Sequence, residues 1–286
     1  MSTTSPTFSA DAIGQWSDPV EFAVTRERIQ QYAAATNDPI EPHVNGEFAS
    51  PVFAVVPSFQ AAGEAAMKVI PPELMMMILH GEQDFHFHAP ILPDTTVSTR
   101  AAPIGVQPRS SGVTVVVKTE TRDGADTLLN EQYWTTFVRG GQTEQGAGEG
   151  APPHAFDESL RDREPDASVS QTFDSDQTYR YAEASGDPMP IHLDDDLAKK
   201  FGLPGIIIHG LCTMAFTSVA VVQHACPDDP TRLERLAVRF AKTLQPGQTI
   251  TTSIYDTGSG AYAYETTSDE DTVVIKDGYA QVGARP

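Results

Sequence analysis

The sequence of 286 residues contains little cysteine, few basic residues and no long hydrophobic run. Its two cysteines, Cys212 and Cys226, are too few for a disulfide framework, and their apolar surroundings predict buried thiols. No stretch of eighteen or more apolar residues is present, so no membrane-spanning helix is predicted. The N-terminus has no basic segment followed by an apolar one, so no secretory signal is predicted and we expect a soluble, cytoplasmic protein.

Basic residues are outnumbered by acidic ones, 19 to 39, which gives a formal net charge of -20. Nucleic-acid binding is therefore not expected, because phosphate backbones are held by clusters of Lys and Arg that this chain lacks. A phosphorylated ligand would need a local basic patch against an unfavourable overall field. The few Arg and Lys residues near a candidate site are therefore more significant than usual as candidates for binding such a ligand.

The composition changes in the middle of the chain. Residues 141–165 are rich in Gly, Gln, Glu, Pro and Asp and have no periodic apolar pattern, which predicts a linker. We therefore expect an N-terminal domain at residues 1–140 and a C-terminal domain at residues 166–286. A length of 286 residues suits two modest domains.

The two halves contain an internal repeat. Residues 32–39 (Tyr-Ala-Ala-Ala-Thr-Asn-Asp-Pro) match residues 181–188 (Tyr-Ala-Glu-Ala-Ser-Gly-Asp-Pro), and His43 matches His192 at the same offset. Such self-similarity indicates one fold present twice.

Each half also has the same order of predicted elements. In each half, a polar helix that ends near the Asp is predicted, followed by an irregular segment and an apolar helix, at residues 58–70 in the first half and 210–225 in the second. Alternating, β-branched segments predict strands at residues 83–88, 97–104, 113–121, 132–139, 236–242, 249–256, 261–267 and 272–282. A long helix followed by antiparallel strands predicts an α+β fold, in which the sheet wraps around the helix.

Asp187 and His192 are the first candidates for chemistry. Gly186 precedes the acid, and Pro188 and Pro190 follow it, so this segment cannot continue as a helix and must turn or extend. A carboxylate beside an imidazole can orient a water, take its proton and return one. The structural alternative is that Asp187 caps a turn and His192 is a buried histidine without a catalytic role, which is common for so short a pattern.

The predicted helix that begins at Gly210 adds a second feature. Backbone N–H groups at the start of a helix are unpaired and can stabilise a developing oxyanion. Gly210 has no side chain, so a ligand can approach its N–H closely. The simpler explanation is a glycine that only allows entry into the helix.

These segments together resemble a known family. Ser-Gly-Asp-Pro-Met-Pro-Ile-His at residues 185–192 and Gly-Leu-Pro-Gly-Ile-Ile-Ile-His-Gly-Leu-Cys-Thr at residues 202–213 resemble the hydratase 2 motif of the MaoC-like dehydratases, the (R)-specific enoyl-CoA hydratases. Leu-His-Gly-Glu-Gln at residues 79–83 is similar to the N-terminal half of the two-domain members. Arg-Phe-Ala-Lys at residues 239–242 resembles the strand after the catalytic helix.

The resemblance implies a double hot-dog fold and a lyase that reversibly hydrates trans-2-enoyl-CoA to (R)-3-hydroxyacyl-CoA. Neither a metal nor another cofactor is implied, since coenzyme A is part of the substrate. By motif position, Asp187 and His192 become the catalytic acid/base pair, and the Gly210 N–H becomes the donor to the thioester oxygen. The sequence departs from the family at Met189, where the usual residue is Asn, because Met cannot supply the hydrogen bonds of an amide.

The first half is predicted to be a degenerate copy that shapes the acyl pocket. Asp38 and His43 repeat the spacing of the acid/base pair, but Val56 and Pro57 stand where His209 and Gly210 stand, and proline has no N–H to offer. Candidate substrate-binding residues, including two basic residues for the phosphates of coenzyme A, are Phe53, Met189, His209, Leu211, Arg239 and Lys242.

Three alternatives remain open from the sequence. The chain could be a non-catalytic acyl-CoA-binding partner subunit, in which Met189 marks lost chemistry. It could be a hot-dog thioesterase. A third possibility is metal-dependent hydrolysis at Asp84, His86 and His88, whose even spacing places them on one face of a strand. A homodimer is a further expectation.

Overall fold

Helices and strands fill most of residues 7–284, the part of the chain that the computed structural model describes. The helices are α1 (Arg26–Ala35), α2 (Glu41–Val44), α3 (Val55–Met67), α4 (Gln177–Ser185), α5 (Asp195–Lys200) and α6 (Gly210–Ala225). The strands are β1 (Val20–Val24), β2 (Ile78–Phe87), β3 (Thr95–Arg109), β4 (Gly112–Arg122), β5 (Leu128–Arg139), β6 (Ala147–Gly148), β7 (Ala167–Thr172), β8 (Leu233–Phe240), β9 (Thr249–Gly258), β10 (Ala261–Ser268) and β11 (Val273–Val282). Short 3-10 helices lie at Pro51–Ala54, Pro72–Met77, Glu158–Asp162, Pro190–His192 and Pro230–Arg232.

The chain forms two units that are each discontinuous in sequence. Unit 1 comprises the residues up to Ala23 together with Pro57–His88 and Thr96–Pro153. Unit 2 comprises Val24–Val56, Ala89–Thr95 and the residues from His154 onward. The segment Val24–Val56 thus belongs to unit 2, although it lies in the N-terminal half of the sequence. The division into residues 1–140 and 166–286 concerns the order of the repeats along the chain, and it stays a prediction.

Unit 1 is built on a sheet with the strand order β1-β3-β4-β5-β2, and β6 pairs with the edge of β3. The register is antiparallel and places Val106 opposite Val115. α3 lies against this sheet, since Ser58 Oγ donates to Gln132 Oε1 at 3.3 Å. The buried apolar cluster of this unit consists of Phe8, Val69, Ile70, Val106, Val113, Val115 and Val138. β-branched residues dominate it because they suit the pleated surface of a sheet.

Unit 2 is built on a sheet with the strand order β8-β11-β10-β9-β7, in which every pairing is antiparallel. α6 lies against β7, β8, β9 and β11. All of its residues from Leu211 through Val222 are buried, as expected for a helix that is apolar on every side. Its buried hydroxyl at Thr217 is satisfied by Thr266 at 3.2 Å, and Thr266 also bonds to Thr252 at 2.9 Å.

Positions matched by the repeat contact each other within unit 2. α1 and α4 pack together, and the hydroxyl oxygens of Tyr32 and Tyr181, 149 residues apart, lie 3.2 Å from each other. Arg180 adds hydrogen bonds to the Ala34 carbonyl at 2.9 Å and to Asn37 Oδ1 at 3.1 Å. The two copies of the Tyr-to-Pro segment are therefore joined at their helices.

The predicted α+β class is confirmed, and the predicted elements agree closely with the structure. α6 has the predicted bounds, and each of the eight predicted strands is present. α3 begins at Val55 rather than at residue 58. Pro57 is tolerated in the first turn of this helix because backbone N–H groups there have no hydrogen-bond partner within the helix, so the lack of an N–H in proline removes no hydrogen bond. β1, β6, β7, α2 and α5 were not predicted.

The segment at residues 141–165 is more ordered than a linker composition suggests. Arg161 makes two hydrogen bonds to the Glu265 carboxylate, at 2.8 and 2.7 Å. His154 Nδ1–H donates to the Asp277 carbonyl at 2.6 Å. These contacts fix the second part of the segment to unit 2.

Two further expectations can be compared with the structure. Cys212 and Cys226 are buried free thiols, which confirms the expectation for both. Across residues 7–284, no helix has the length and apolar character needed to cross a membrane.

Candidate active site

The loop after α4 places the carboxylate of Asp187. α4 ends at Ser185 and is followed by Gly186, whose φ of 77° is left-handed and suits a residue without a side chain. The Asp187 N–H donates to Ser185 Oγ at 3.3 Å, and Asp187 Oδ1 accepts the Met189 N–H at 3.1 Å. The carboxylate is therefore fixed by its own loop, and its second oxygen remains available.

The imidazole of His192 is fixed from the other side of the site. His192 ends the 3-10 helix Pro190–His192 and is 8% exposed. Its Nδ1–H donates to the Ile207 carbonyl at 2.8 Å. This hydrogen bond assigns the tautomer in which Nε2 carries the lone pair and can accept a proton.

Asp187, His192 and His209 come together at one point. One ligand atom from each of them lies within 4.8 Å of the others. A single water with hydrogen bonds of about 2.8 Å to two groups spans about 4.6 Å, so an upper limit of 4.8 Å is compatible with one water bonded to both Asp187 and His192. Burial raises the pKa of Asp187 above its ordinary value and lowers the pKa of His192 below its ordinary value, because it disfavours the charged form of each.

His209 is the residue immediately before α6, and it is 1% exposed. Its ring stacks on His192 with a centroid distance of 3.7 Å and an interplanar angle of 22°. Its Nε2–H donates to the backbone carbonyl of Asp187 at 3.3 Å. Burial, with a smaller contribution from His192, lowers the pKa of His209 to about 3, so its ring is neutral at physiological pH.

Gly210 is the first residue of α6. No side chain caps this end of the helix among the described residues, so the N–H groups of its first turn have no partner within the helix. A Cβ at Gly210 would lie 3.3 Å from the Phe240 ring. Glycine therefore allows the Phe240 ring to pack closely against the start of α6.

The same three side chains could be considered as metal ligands. Within residues 7–284, the cluster of His, Cys, Asp and Glu groups close enough to share an ion is Asp187, His192 and His209. A metal must lie in the plane of each imidazole that binds it, at about 2.1 Å from the nitrogen. The rings of His192 and His209 are stacked and inclined to each other by only 22°. Their planes therefore do not intersect at a point that is within metal-binding distance of a nitrogen of each ring. The stacking geometry therefore opposes joint coordination by His192 and His209.

The matching pair in the first repeat has a different arrangement. His43 Nδ1–H donates directly to Asp38 Oδ2 at 2.7 Å, and both side chains are almost fully buried. Asp38 Oδ1 accepts the Ile40 N–H at 2.9 Å, as Asp187 does with Met189. This pair is closed on itself and leaves no space for a water between its members.

The remaining predicted site residues lie in varied positions. Phe53 is fully buried and packs edge-on against Tyr32 with ring centroids 5.5 Å apart. Leu211 is buried in the first turn of α6. Met189 is 44% exposed. The predicted substrate-binding roles of these residues stay predictions.

The two basic candidates lie on and just after β8. Arg239 is half-exposed and forms an ion pair with Asp277 at 3.4 Å, whereas Lys242 is exposed. Their predicted contact with phosphates also stays a prediction.

The histidines of β2 do not converge on one point. His86 Nε2 pairs with Asp84 at 3.3 Å, and His88 Nε2 pairs with Glu131 at 3.1 Å. His80 bonds to Gln83 at 3.1 Å. Each ring therefore has its own partner, and a shared metal has no geometric support here.

Two supporting residues were missed by the sequence reasoning. Ser185 accepts the Asp187 N–H, and the Ile207 carbonyl sets the tautomer of His192. Ser185 could have been found from its position before Gly186, because Ser side chains commonly bond to nearby backbone N–H groups. The Ile207 carbonyl carries no sequence signal.

Comparisons with known proteins identify the family of the chain. Two family models match the chain: the MFE-2 hydratase 2 N-terminal domain over residues 43–140 and the MaoC like domain over residues 157–277. The probable enoyl-CoA hydratase 2 of Dictyostelium discoideum is 26% identical over 273 residues, which cover 92% of each chain. The 3-hydroxyacyl-thioester dehydratase Y of Mycobacterium tuberculosis is 30% identical over 94% of this chain and 96% of its own.

The structural comparison confirms the fold. The crystal structure of a MaoC-like dehydratase from Phytophthora capsici superposes with a TM-score of 0.84 at 23% identity, covering 94% of this chain and 96% of that one. The helix and antiparallel sheet of each unit are those of the double hot-dog fold. The chain therefore belongs to the family of MaoC-like dehydratases and type 2 enoyl-CoA hydratases.

Proposed function

We propose that this protein catalyses the reversible hydration of a trans-2-enoyl-CoA to the (R)-3-hydroxyacyl-CoA, with Asp187 and His192 as its acid/base pair. Hydratase and dehydratase activity is the activity of the relatives that it matches along nearly their whole length. The observation that carries the residue assignment is the convergence of Asp187 and His192 within the span of one water, next to an uncapped helix N-terminus. The (R) configuration rests on the family resemblance.

The reaction follows from the hydrogen bonds of the pair. A water held between the Asp187 carboxylate and His192 Nε2 loses a proton to the pair as its oxygen bonds to C3 of the enoyl group. The electrons of the C2–C3 double bond move towards the thioester oxygen, where the Gly210 N–H stabilises the negative charge. The pair then returns a proton to C2. Dehydration reverses these steps.

Met189 contributes to the site through its backbone in this proposal. Its N–H holds Asp187 Oδ1, so the loop keeps that hydrogen bond without the amide side chain that is usual in the family. The exposed thioether next to the carboxylate offers an apolar, adaptable surface. We assign it to contact with the acyl group near C3.

The binding of coenzyme A is proposed to use the basic residues after α6. Arg239 and Lys242 can reach phosphate groups from the protein surface, and a phosphate would compete with Asp277 for Arg239. Leu211 and His209 flank the oxyanion donor. Phe53 acts as support behind Tyr32.

The proposed reaction needs no metal or other cofactor, because the acid/base pair and the helix N-terminus supply both the proton transfer and the charge stabilisation. Activity that survives dialysis against a chelator supports this part of the proposal. A cytoplasmic location and a homodimeric state are also proposed. Fractionation of the source cell and sedimentation of the purified chain test them separately.

The direct experiment follows the absorbance of the conjugated enoyl thioester with crotonyl-CoA and with medium- and long-chain analogues. Loss of absorbance, with 3-hydroxyacyl-CoA as the product, is expected for at least one chain length. Binding of every substrate without turnover would instead identify a partner subunit. Release of the free thiol of coenzyme A would identify a thioesterase.

A further inference from the structure

His209 contacts both members of the acid/base pair at once. One face of its ring lies on His192 at 3.7 Å, and its Nε2–H donates to the Asp187 carbonyl at 3.3 Å. Other supporting groups among the described residues contact one member of the pair: the Ser185 hydroxyl bonds to the Asp187 N–H, and the Ile207 carbonyl bonds to His192.

The position of His209 leaves little of it for a ligand to touch. The residue is 1% exposed, and Tyr181 packs against the ring with a centroid distance of 4.9 Å. Tyr181 is held in turn by the hydroxyl of Tyr32 at 3.2 Å, and both tyrosines are fully buried. A ring held in this way restricts the positions of its neighbours, and it is not placed to contact substrate.

We propose that His209 is a positioning residue, which fixes the plane of the His192 ring and the backbone of Asp187 instead of binding the substrate. This inference rests on the proposed function, because it concerns the same acid/base pair. The flat ring sets the orientation of His192, and the Nε2–H sets the position of the Asp187 loop. His209 also immediately precedes Gly210, so it ties these two residues to the start of α6.

Two variants separate the two contacts. His209→Phe keeps a flat ring on His192 and removes the hydrogen bond to Asp187. His209→Gln keeps a donor of similar reach and removes the stacking. Each is expected to lower kcat by about 10- to 100-fold, because a displacement of about 1 Å in a catalytic group has a cost of this order. KM for the enoyl-CoA is expected to change less than about twofold.

The matched control is His80→Phe. His80 also stacks on an aromatic ring, that of Trp134 with a centroid distance of 5.4 Å, and it bonds to Gln83 at 3.1 Å, but it lies in unit 1 outside the proposed site. Its replacement is expected to leave kcat and KM unchanged. Thermal unfolding of all three variants identifies any variant that fails to fold.

A spectroscopic measurement tests the same inference without turnover. In the proton NMR spectrum, the stacked ring shifts the Cε1–H resonance of His192. His209→Phe is expected to keep most of this shift, and His209→Gln is expected to lose it. If the wild-type chain hydrates no enoyl-CoA, the proposed function fails, whereas the NMR result still reports on the positioning of His192.

Two results would overturn the inference. One is a KM, or a Kd for 3-hydroxybutyryl-CoA, that rises more than tenfold in folded His209 variants with kcat unchanged, which would make His209 a substrate-binding residue. The other is an unchanged kcat in both variants together with an unchanged His192 resonance in His209→Gln, the variant that lacks the stacked ring.

Discussion

At the scale of single residues, two pairs with the same spacing have become chemically different. Asp38 and His43 form a direct buried hydrogen bond of 2.7 Å. His192 instead gives its Nδ1–H to the Ile207 carbonyl, which leaves Nε2 to accept a proton, and one ligand atom of His192 lies within 4.8 Å of one of Asp187. A change of one hydrogen-bond partner therefore separates a closed structural pair from an open acid/base pair.

The pH dependence of hydration follows from the directions of two pKa shifts. Hydration needs neutral His192 and ionised Asp187, so protonation of either residue stops it. Burial holds the pKa of His192 below its ordinary 6.5 and raises the pKa of Asp187 above its ordinary 3.8. We expect kcat/KM for hydration to be constant from about pH 7 to 8 and to fall only below about pH 6.5, with apparent values that belong to the coupled pair.

The measurement is an initial-rate profile with crotonyl-CoA in buffers of constant ionic strength. Thermal unfolding at each pH serves as its control, because loss of the fold at low pH would mimic the acid limb. A midpoint above pH 7 for loss of activity on acidification contradicts the assignment.

Met189 makes a prediction about acyl chain preference. Met189→Asn keeps the backbone N–H to Asp187 and replaces an exposed thioether by an amide. Loss of about 1 kcal/mol of apolar contact corresponds to a roughly fivefold lower kcat/KM for medium-chain substrates. Crotonyl-CoA, which has little acyl chain, is the internal control and is expected to change less than about twofold. An equal loss for all chain lengths would place the effect on the chemistry instead.

The sequence singled out Asp187, His192 and Gly210 as candidates, because their spacing is a property of the chain, and their catalytic roles stay predictions. It could not identify the Ile207 carbonyl or the Met189 N–H, since every residue except proline carries the same backbone groups. The burial of His209 could not be predicted from the sequence either. That depends on the stacking of His192 and Tyr181 on one ring, which only the folded chain brings about.

At the scale of elements, one substitution can remove the backbone N–H of Gly210 at the start of α6 without disturbing the helix. His209 has φ of -58° and ψ of 135°, the extended conformation that a residue before proline prefers. Proline is also well tolerated at the first position of a helix. Gly210→Pro, which copies Pro57 of the first repeat, is therefore expected to fold and to lower kcat by about 100- to 1,000-fold through loss of one oxyanion donor.

Gly210→Ala is the matched control for this substitution. Its Cβ would lie 3.3 Å from the Phe240 ring, so it adds comparable bulk at the same place and keeps the N–H. It is expected to retain much more activity than Gly210→Pro in the same assay. Equal losses in the two variants would assign the effect to crowding.

Helices and strands could be predicted from hydrophobic periodicity where the pattern was long. α6 has twelve consecutive buried residues, most of them apolar, and its bounds were predicted correctly. β7 was missed because Ala167–Thr172 alternates small and polar residues and has only one large apolar side chain, Val169. The six-residue helix α5 was missed because a segment so short carries little periodicity.

At the scale of the whole molecule, the net charge of -20 is the dominant global property. Like charges repel in the compact state, and salt screens this repulsion. We expect Tm to rise by several degrees between about 10 mM and 500 mM NaCl, beyond the effect of an uncharged osmolyte at the same osmolality. A Tm that is independent of salt, or that falls, would show that the charges are already balanced by local ion pairs.

The repeat explains how one chain holds two related halves with one proposed active site. The two copies of the Asp and His pair lie in unit 2, where α1 and α4 pack on each other through Tyr32 and Tyr181. The sequence revealed this duplication through matched residues. It could not reveal that Val24–Val56 belongs to unit 2 with the C-terminal copy, because composition does not record which distant segments pack together.

The most direct test of the account compares the same substitution in the two copies. Asp187→Asn is expected to stay folded and to lose about 1,000-fold or more in kcat for enoyl-CoA hydration. Asp38→Asn breaks a buried pair, so it is expected to lower Tm by several degrees. Below that Tm, its kcat should stay within about twofold of the wild-type value. Wild-type kcat in Asp187→Asn, or an equal loss of kcat in folded Asp38→Asn, would contradict a single active site at Asp187 and His192.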